Sequence, residues 1–286
     1  MAKKSFRLLQ PEARLTNVVF ASPHSGQAYP WSFLRKTVLD DRAIRSSEDA
    51  FVDQLFDAAP DLGAPLLAAD IPRAFVDLNR SSDELDPAVI DGIRGTSHNP
   101  RVSSGLGVIP RVVANGRAIY RGKLELAEAK ARLADHWHPY HAALQNELDI
   151  AKGIFGDAVL IDCHSMPHEA IDAISGDSKN WPEVVLGDRF GAACSPDIMS
   201  RIEAAFQRTG LRVARNAPFA GAYVTQAYGR PSRNQHAVQV EIDRSLYMDE
   251  ATIRPNENFD KFKRQITQAI AEIIEMGQMT RPLAAE

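Results

Sequence analysis

Two segments place an imidazole directly after an apolar run: "VVFASPHSG", with His24, and "AVLIDCHSMP", with His164. A neutral imidazole is the commonest protein metal ligand, and a catalytic zinc site typically takes three protein ligands and keeps one position open. The two placements are equivalent. Histidines at the ends of neighbouring parallel strands would point into the crevice where open α/β sheets bind ligands. A carboxylate is the missing third ligand, and "SSEDAFVD" offers Glu48, Asp49 and Asp53. The competing role for these acids is to favour the positive N-terminal end of a helix capped by Ser46 or Ser47.

Other polar residues sit at similar boundaries. "VDLNRSS" carries Asp77, Asn79 and Arg80. An arginine fork suits a carboxylate, and a neighbouring asparagine can add donors, although a surface turn with a salt bridge needs the same residues. In "HAVQVEIDRS", alternation puts Val238, Val240 and Ile242 on one face and Gln239, Glu241 and Asp243 on the other. A row of buried acids there calls for a structural ion pair or a catalytic group. "HWHPYH" has a superficially metal-like spacing, but only His138 and His141 share a helix face, so these histidines read as a core-edge cluster. Cys163, between Asp162 and His164, falls on the opposite strand face and reads as packing; His98, His168 and His236 carry no assignment. "GLGVIPR" lacks the strand-to-helix context of a phosphate loop.

The elements that must position these groups alternate. Strand-like runs are "TNVVFAS" (16–22), "APLLAAD" (64–70), "AFVDL" (74–78), "AVLIDC" (158–163), "RVARN" (212–216) and "HAVQVEI" (236–242). Helical patterns cover 46–59, a long amphipathic run at 124–155 bent or interrupted by Pro139, 195–210 with Ser195 as N-cap and Pro196 at N1, and 256–277. The alternation predicts an α/β fold with a largely parallel or mixed sheet. Segment 80–122, rich in Ser, Gly, Pro and Arg, reads as a long excursion over one face, and such loops usually bind something. One domain is expected.

The chain has 286 residues, 44% hydrophobic and 24% charged, with a formal net charge of −4. That composition suits a soluble globular protein and argues against generic nucleic-acid binding. No stretch has the length of a membrane span and no signal-type apolar region is found, which predicts a cytoplasmic protein. Two cysteines, Cys163 and Cys194, build neither a disulfide framework nor a thiolate zinc site.

Taken together, "SPHSGQAYP", "EDAFVDQLF", "PRAFVDLNR", "GLGVIPRVVANGRAIYRG", "DCHSMP", "PFAGAYVTQAYGRP" and "QVEIDRSLYMDE" resemble the N-formylglutamate amidohydrolase family, in order, over about residues 15–275. That family is similar in architecture to zinc carboxypeptidases and aspartoacylases. The resemblance implies a single three-layer α/β/α domain over 1–286 on a mixed, largely parallel sheet. It implies zinc held by His24, His164 and a carboxylate from "EDAFVD". The related H-x-x-E pattern is absent, since Gln27 stands three residues after His24, so the carboxylate comes from further along; Asp49 is favoured, with Glu48 and Asp53 as alternatives. It further implies Glu241 as general base and Arg73 as the residue polarising the scissile carbonyl. Asn79 and Arg80 would hold a substrate carboxylate, and Arg111, Arg121, Arg230 or Arg244 a second one. Tyr223 and Tyr120 are candidate substrate contacts or core fillers. The reaction implied is hydrolysis of N-formyl-L-glutamate, a small dianionic N-acyl amino acid, to formate and L-glutamate, with a place in histidine degradation. Rival readings are a related zinc deacylase of another N-acyl amino acid or small peptide, and an inactive module that binds an acidic metabolite.

Overall fold

The computed structural model describes residues 5–93, 99–172 and 181–278. His98 lies outside them, as does part of the 80–122 segment. Five of the expected runs and two further strands, β1 and β5, form a seven-stranded sheet from β1 Phe6–Leu9, β2 Val18–Ser22, β3 Leu66–Ala69, β4 Ala158–Met166, β5 Val184–Gly187, β6 Val213–Arg215 and β7 Gln235–Asp243, in the order β1-β3-β2-β4-β7-β5-β6. β2 and β7 both run parallel to β4, whereas β5 is antiparallel to β7 and parallel to β6. The sheet is therefore mixed, and the fold is of the α/β class. β2, β4 and β7 are buried along their whole length; β2 and the first half of β4 read accordingly as continuous apolar runs, whereas β7 keeps its alternation and buries the polar phase as well.

The chain resolves into two compact units. The first comprises described residues 5–7, 23–50, 68–93 and 99–143; the second comprises 8–22, 51–67, 144–172 and 181–278. In the second unit, the helix Phe259–Gln278 buries Phe262, Ile266, Ala269, Ile270, Ile273 and Ile274, a stripe at helical spacing. It packs on the helix Pro196–Arg208 and on β2. Ser195 stands at that second helix's N-cap, but its side chain makes no capping bond; its amide donates to His236 Nδ1 instead.

Two expectations need correction and a third takes a definite form. "AFVDL" (74–78) is a turn, not a strand: the amides of Phe75 and Val76 both donate to the Pro72 carbonyl, and Asp77's amide bonds the Val108 carbonyl. Its apolar residues are buried, so hydrophobicity alone misled the reading; Pro72 and the Asx-type bond from the Asn79 amide to Asp77 Oδ1 make the turn. The helix expected over 46–59 shrinks to Val52–Leu55, because Phe51 adopts φ 66° and breaks the helical path before it. Ser46 does not cap its start; its hydroxyl donates to the Ala43 carbonyl at the end of a short 3₁₀ turn, Ala43–Arg45. The interruption expected at Pro139 takes the form of a π-helical turn just before it, not a break. The run 124–155 continues from an α-helix Leu126–Arg132 through a π-helical turn Leu133–Trp137 into the helix His138–Phe155.

That π turn has a local cause. Pro139 has no amide hydrogen for the carbonyl four residues earlier, that of Asp135. Ser5 Oγ donates to the Asp135 carbonyl at 2.9 Å and accepts from His136 Nδ1 at 2.6 Å, so the orphaned carbonyl is satisfied from outside the helix.

The described residues of the 80–122 segment, 80–93 and 99–122, fold back on one another within the first unit. Val108's amide bonds the Glu84 carbonyl, and single bridges pair Ile90 with Leu124 and Val112 with Ala118. Gly107 is required there by contact: a Cβ would stand 2.4 Å from the Glu84 carbonyl oxygen.

Candidate functional site

His24 follows β2 by two residues, in a turn held close to the chain at 70–71. Ala28's amide bonds the Asp70 carbonyl, and a Cβ on Gly26 would lie 1.9 Å from the Ile71 carbonyl oxygen. The glycine of "SPHSG" thus lets the histidine turn approach that backbone closely. The Asp49 amide in turn donates to the His24 carbonyl at 3.1 Å. Asp49 therefore sits in the irregular stretch before the Val52–Leu55 helix, facing the histidine whose carbonyl it caps. His164 lies inside β4, which runs to Met166.

One imidazole or carboxylate atom from each of His24, Asp49 and His164 lies within 4.8 Å of the others, and all three residues are buried. Each histidine also meets a carboxylate. His24 Nε2 donates to Asp77 Oδ1 at 2.8 Å, which turns Nδ1 towards Asp49 Oδ2 at 3.3 Å. His164 Nε2 lies 3.0 Å from Asp162 Oδ2, two residues back on the same strand face. Carboxylates behind ligating histidines fix the ring tautomer and raise the basicity of the other nitrogen. Two imidazoles and one carboxylate so arranged are a donor set that suits a divalent metal ion.

Asp77 is the residue that sequence reasoning undervalued. Its Oδ1 accepts from His24 and from the Asn79 amide, and its Oδ2 accepts from Arg73 Nε at 2.9 Å. Burial by itself would raise its pKa, but Arg73, His24 and Arg80 together outweigh burial and hold the carboxyl well below its ordinary range. It is ionised at neutral pH and acts only as an acceptor. The signal was present in "VDLNR", where an acid precedes the proposed substrate-binding pair, but nothing local linked it to His24.

The other acids of "EDAFVD" lie outside the cluster. Glu48 is buried, takes Arg45 on both carboxylate oxygens at 3.0 to 3.2 Å, and accepts from the Tyr29 hydroxyl at 2.6 Å. Asp53 stands in the first turn of the Val52–Leu55 helix.

On β7, Glu241 is the register partner of His164, Gln239 that of Asp162, and Asp243 that of Met166. Glu241 is buried, and Gln239 Nε2 donates to its Oε1 at 2.6 Å. Gln239 Oε1 accepts the Ala222 amide at 2.9 Å, just before the helix Tyr223–Tyr228. Gln239 therefore ties the segment bearing Tyr223 to the strand bearing Glu241. Sequence reasoning missed that role, though alternation had put Gln239 and Glu241 on one face.

The arginines divide by their partners. Arg80 is buried, and donates from Nε to the Leu106 carbonyl and from Nη1 to the Asn79 carbonyl. Burial lowers its pKa and Asp77 opposes the shift. Arg111 is held by Asp86 at 2.9 Å and by the Ser103 carbonyl. Arg244 is buried and donates from Nε to Ser165 Oγ at 3.0 Å. Asn79 is buried. Of "HWHPYH", His141 is buried and bonds the Leu78 carbonyl; none of the three histidines belongs to the metal-type cluster among the described residues.

A family model described as N-formylglutamate amidohydrolase matches residues 16–248. The chain is 34% identical over 237 residues to the N-formylglutamate deformylase of Pseudomonas aeruginosa, covering 82% of each chain. It is 30% identical over 236 residues to the enzyme of that name from Pseudomonas putida, again covering 82% of each. The crystal structure of N-formylglutamate amidohydrolase from Ralstonia eutropha JMP134 superposes with a TM-score of 0.90 at 35% identity, covering 97% of this chain and 99% of that one. No helix among the described residues is long and apolar enough to cross a membrane. On the matched span and the identity to these relatives, the chain belongs to the N-formylglutamate amidohydrolase family, a family of amide-bond hydrolases.

Proposed function

We propose that this protein is a zinc-dependent deformylase that hydrolyses N-formyl-L-glutamate to formate and L-glutamate. The observation that carries the reading is the convergence of His24, Asp49 and His164, each histidine backed by its own carboxylate. Those three residues would hold the metal, which when bound supplies Lewis-acid chemistry for attack on the formyl carbonyl.

The remaining steps belong to the chain's own side chains. Glu241, beside His164 across β4 and β7 and steadied by Gln239, takes a proton from the attacking water and delivers it to the departing amine nitrogen as the C–N bond breaks. Arg73, fixed at Nε by Asp77, presents its guanidinium to the oxyanion that develops on the formyl oxygen; a single such donor contributes on the order of 3 kcal/mol to transition-state stabilisation. Arg80 and Asn79 bind the α-carboxylate of the substrate. Arg111, Arg244 and Tyr223 are the candidates for the side-chain carboxylate, and a substrate with two negative charges matches this set of arginines in an otherwise acidic chain.

The test is a substrate panel of N-formyl, N-acetyl and N-succinyl amino acids offered to the purified, zinc-loaded protein, with release of free amine as readout. The reading expects the highest kcat/KM for N-formyl-L-glutamate and low activity when either carboxylate is replaced by an amide. A preference for another acyl group, or for a neutral amino acid, would refute it.

A further inference from the structure

The turn 72–80 carries four residues of the site, Arg73, Asp77, Asn79 and Arg80, yet belongs to no strand. Its buried carbonyls must find donors elsewhere. Three of them find side chains from one helical run. Arg132 Nη1 donates to the Phe75 carbonyl at 3.2 Å, His141 Nε2 to the Leu78 carbonyl at 3.0 Å, and Trp137 Nε1 to the Arg80 carbonyl at 2.9 Å. All three donors are more than nine-tenths buried. Arg132 is further packed over the Phe75 ring, 4.1 Å from its centroid, and bonds the Tyr120 hydroxyl. The Trp137 and His141 rings lie 4.0 Å apart, centroid to centroid.

The π turn makes this alignment possible. In an unbroken α-helix, residues 132 and 137 would be about 140° apart around the axis. A turn closed by i to i+5 bonds over Leu133–Trp137 brings the fifth residue back above the first. Residues 137 and 141 are then an ordinary helical i, i+4 pair. Burial holds the His141 imidazole at a pKa of about 4, so at neutral pH the ring is an uncharged donor that fits a carbonyl. The "HWHPYH" segment thereby acquires a use that metal binding does not explain.

We propose that Trp137 and His141 are positioning residues for substrate specificity, clamping the Leu78 and Arg80 carbonyls so that the Asn79 and Arg80 side chains meet the substrate α-carboxylate. The inference rests on the carboxylate-binding reading of Asn79 and Arg80 given above. The Asp77 amide is anchored separately to the Val108 carbonyl, so the clamp acts on substrate affinity more than on the histidine partner.

The experiment compares kcat, KM and bound zinc for the zinc-loaded full chain and for Trp137→Phe, His141→Leu, His141→Gln, Arg80→Ala and the Trp137→Phe/Arg80→Ala double variant. Trp137→Phe keeps the ring and loses the N–H donor. Its KM for N-formyl-L-glutamate should rise about five- to tenfold, the worth of one net hydrogen bond, with kcat within about twofold and zinc unchanged. His141→Leu should raise KM likewise, and His141→Gln, which retains an N–H, should recover most of the loss. In the Arg80→Ala background Trp137→Phe should add nothing, because residues acting through one group are not additive. An unchanged KM in Trp137→Phe and His141→Leu, a loss confined to kcat, or a full Trp137→Phe effect on top of Arg80→Ala would overturn the clamp while leaving the deformylase reading intact. An unchanged KM in Arg80→Ala would instead remove the carboxylate role on which the clamp depends.

Discussion

Asp77→Asn changes one charge and almost no volume, at a carboxylate that takes three donors. Asparagine has a single acceptor oxygen. If that oxygen keeps the His24 and Asn79 bonds, the new amide hydrogens face Arg73 Nε; if it turns to Arg73, they face the other two donors. Either way, donors oppose donors in a buried place. Losing a charge-assisted hydrogen bond costs about 1.5–3 kcal/mol. Arg73 is 24% exposed and can rehydrate, so the metal-free variant should lose roughly 2 kcal/mol of stability at neutral pH. The His24 ring also loses the charge that fixes its tautomer, and removing such a partner typically weakens metal binding by about 10–100-fold. The sign of the pH dependence follows from the depressed pKa. Wild-type Asp77 contributes fully above the ordinary value of 3.8 and loses its contribution as pH falls below it, because there the unfolded chain takes up the proton first. The gap between wild type and variant should therefore narrow in acid. Urea unfolding of the metal-free proteins and zinc competition against a chelator measure both quantities. A zinc affinity within twofold of wild type, together with unchanged unfolding, would refute the assignment of Asp77 as the partner of His24.

Glu241→Gln should retain zinc and lose most of kcat; normal turnover would exclude Glu241 as the base. Metal analysis of His24→Ala and His164→Ala should show loss of bound zinc, and full occupancy in either would remove that residue from the ligand set. His141, held at about 4 against an ordinary 6.5, stabilises the fold above 6.5 and loses that contribution as pH falls towards 4, on the order of 3 kcal/mol. Urea midpoints should fall more steeply across that window in wild type than in His141→Gln, and parallel profiles would contradict the neutral, buried ring. Gly26→Ala puts a methyl where the Ile71 carbonyl stands, so it should displace the His24 turn and lower both zinc content and thermal stability; a wild-type melting curve with full zinc would argue against the close approach.

Much of the site was legible before any coordinates because its residues sit where local patterns end. His24 and His164 follow fully apolar runs, and Glu241 lies on the polar phase of an alternating strand, so periodicity alone marked them. In the sheet, β2 and β7 both run parallel to β4, with Glu241 in register beside His164. The family resemblance is borne out by the matched span of 16–248. The turn at 74–78 was not legible, since a buried apolar run has the same composition whether its amides pair with a strand or with the Pro72 and Val108 carbonyls.

The sequence by itself determined which residue types could do chemistry and most, though not all, of the segments that form strands or amphipathic helices, because those follow from side-chain period and turn chemistry over a few neighbours. Only the tertiary structure decided which acid joins the histidines. Glu48 and Asp49 are adjacent and chemically alike, but Glu48 is claimed by Arg45 and Tyr29 while Asp49 faces His24. Only the tertiary structure, too, gave the interruption at Pro139 the form of a π turn that aligns Arg132, Trp137 and His141, because the carbonyl that Pro139 orphans is satisfied by Ser5, far away in the chain. Such choices depend on competition among buried donors and acceptors brought together by folding, and that competition has no local signature.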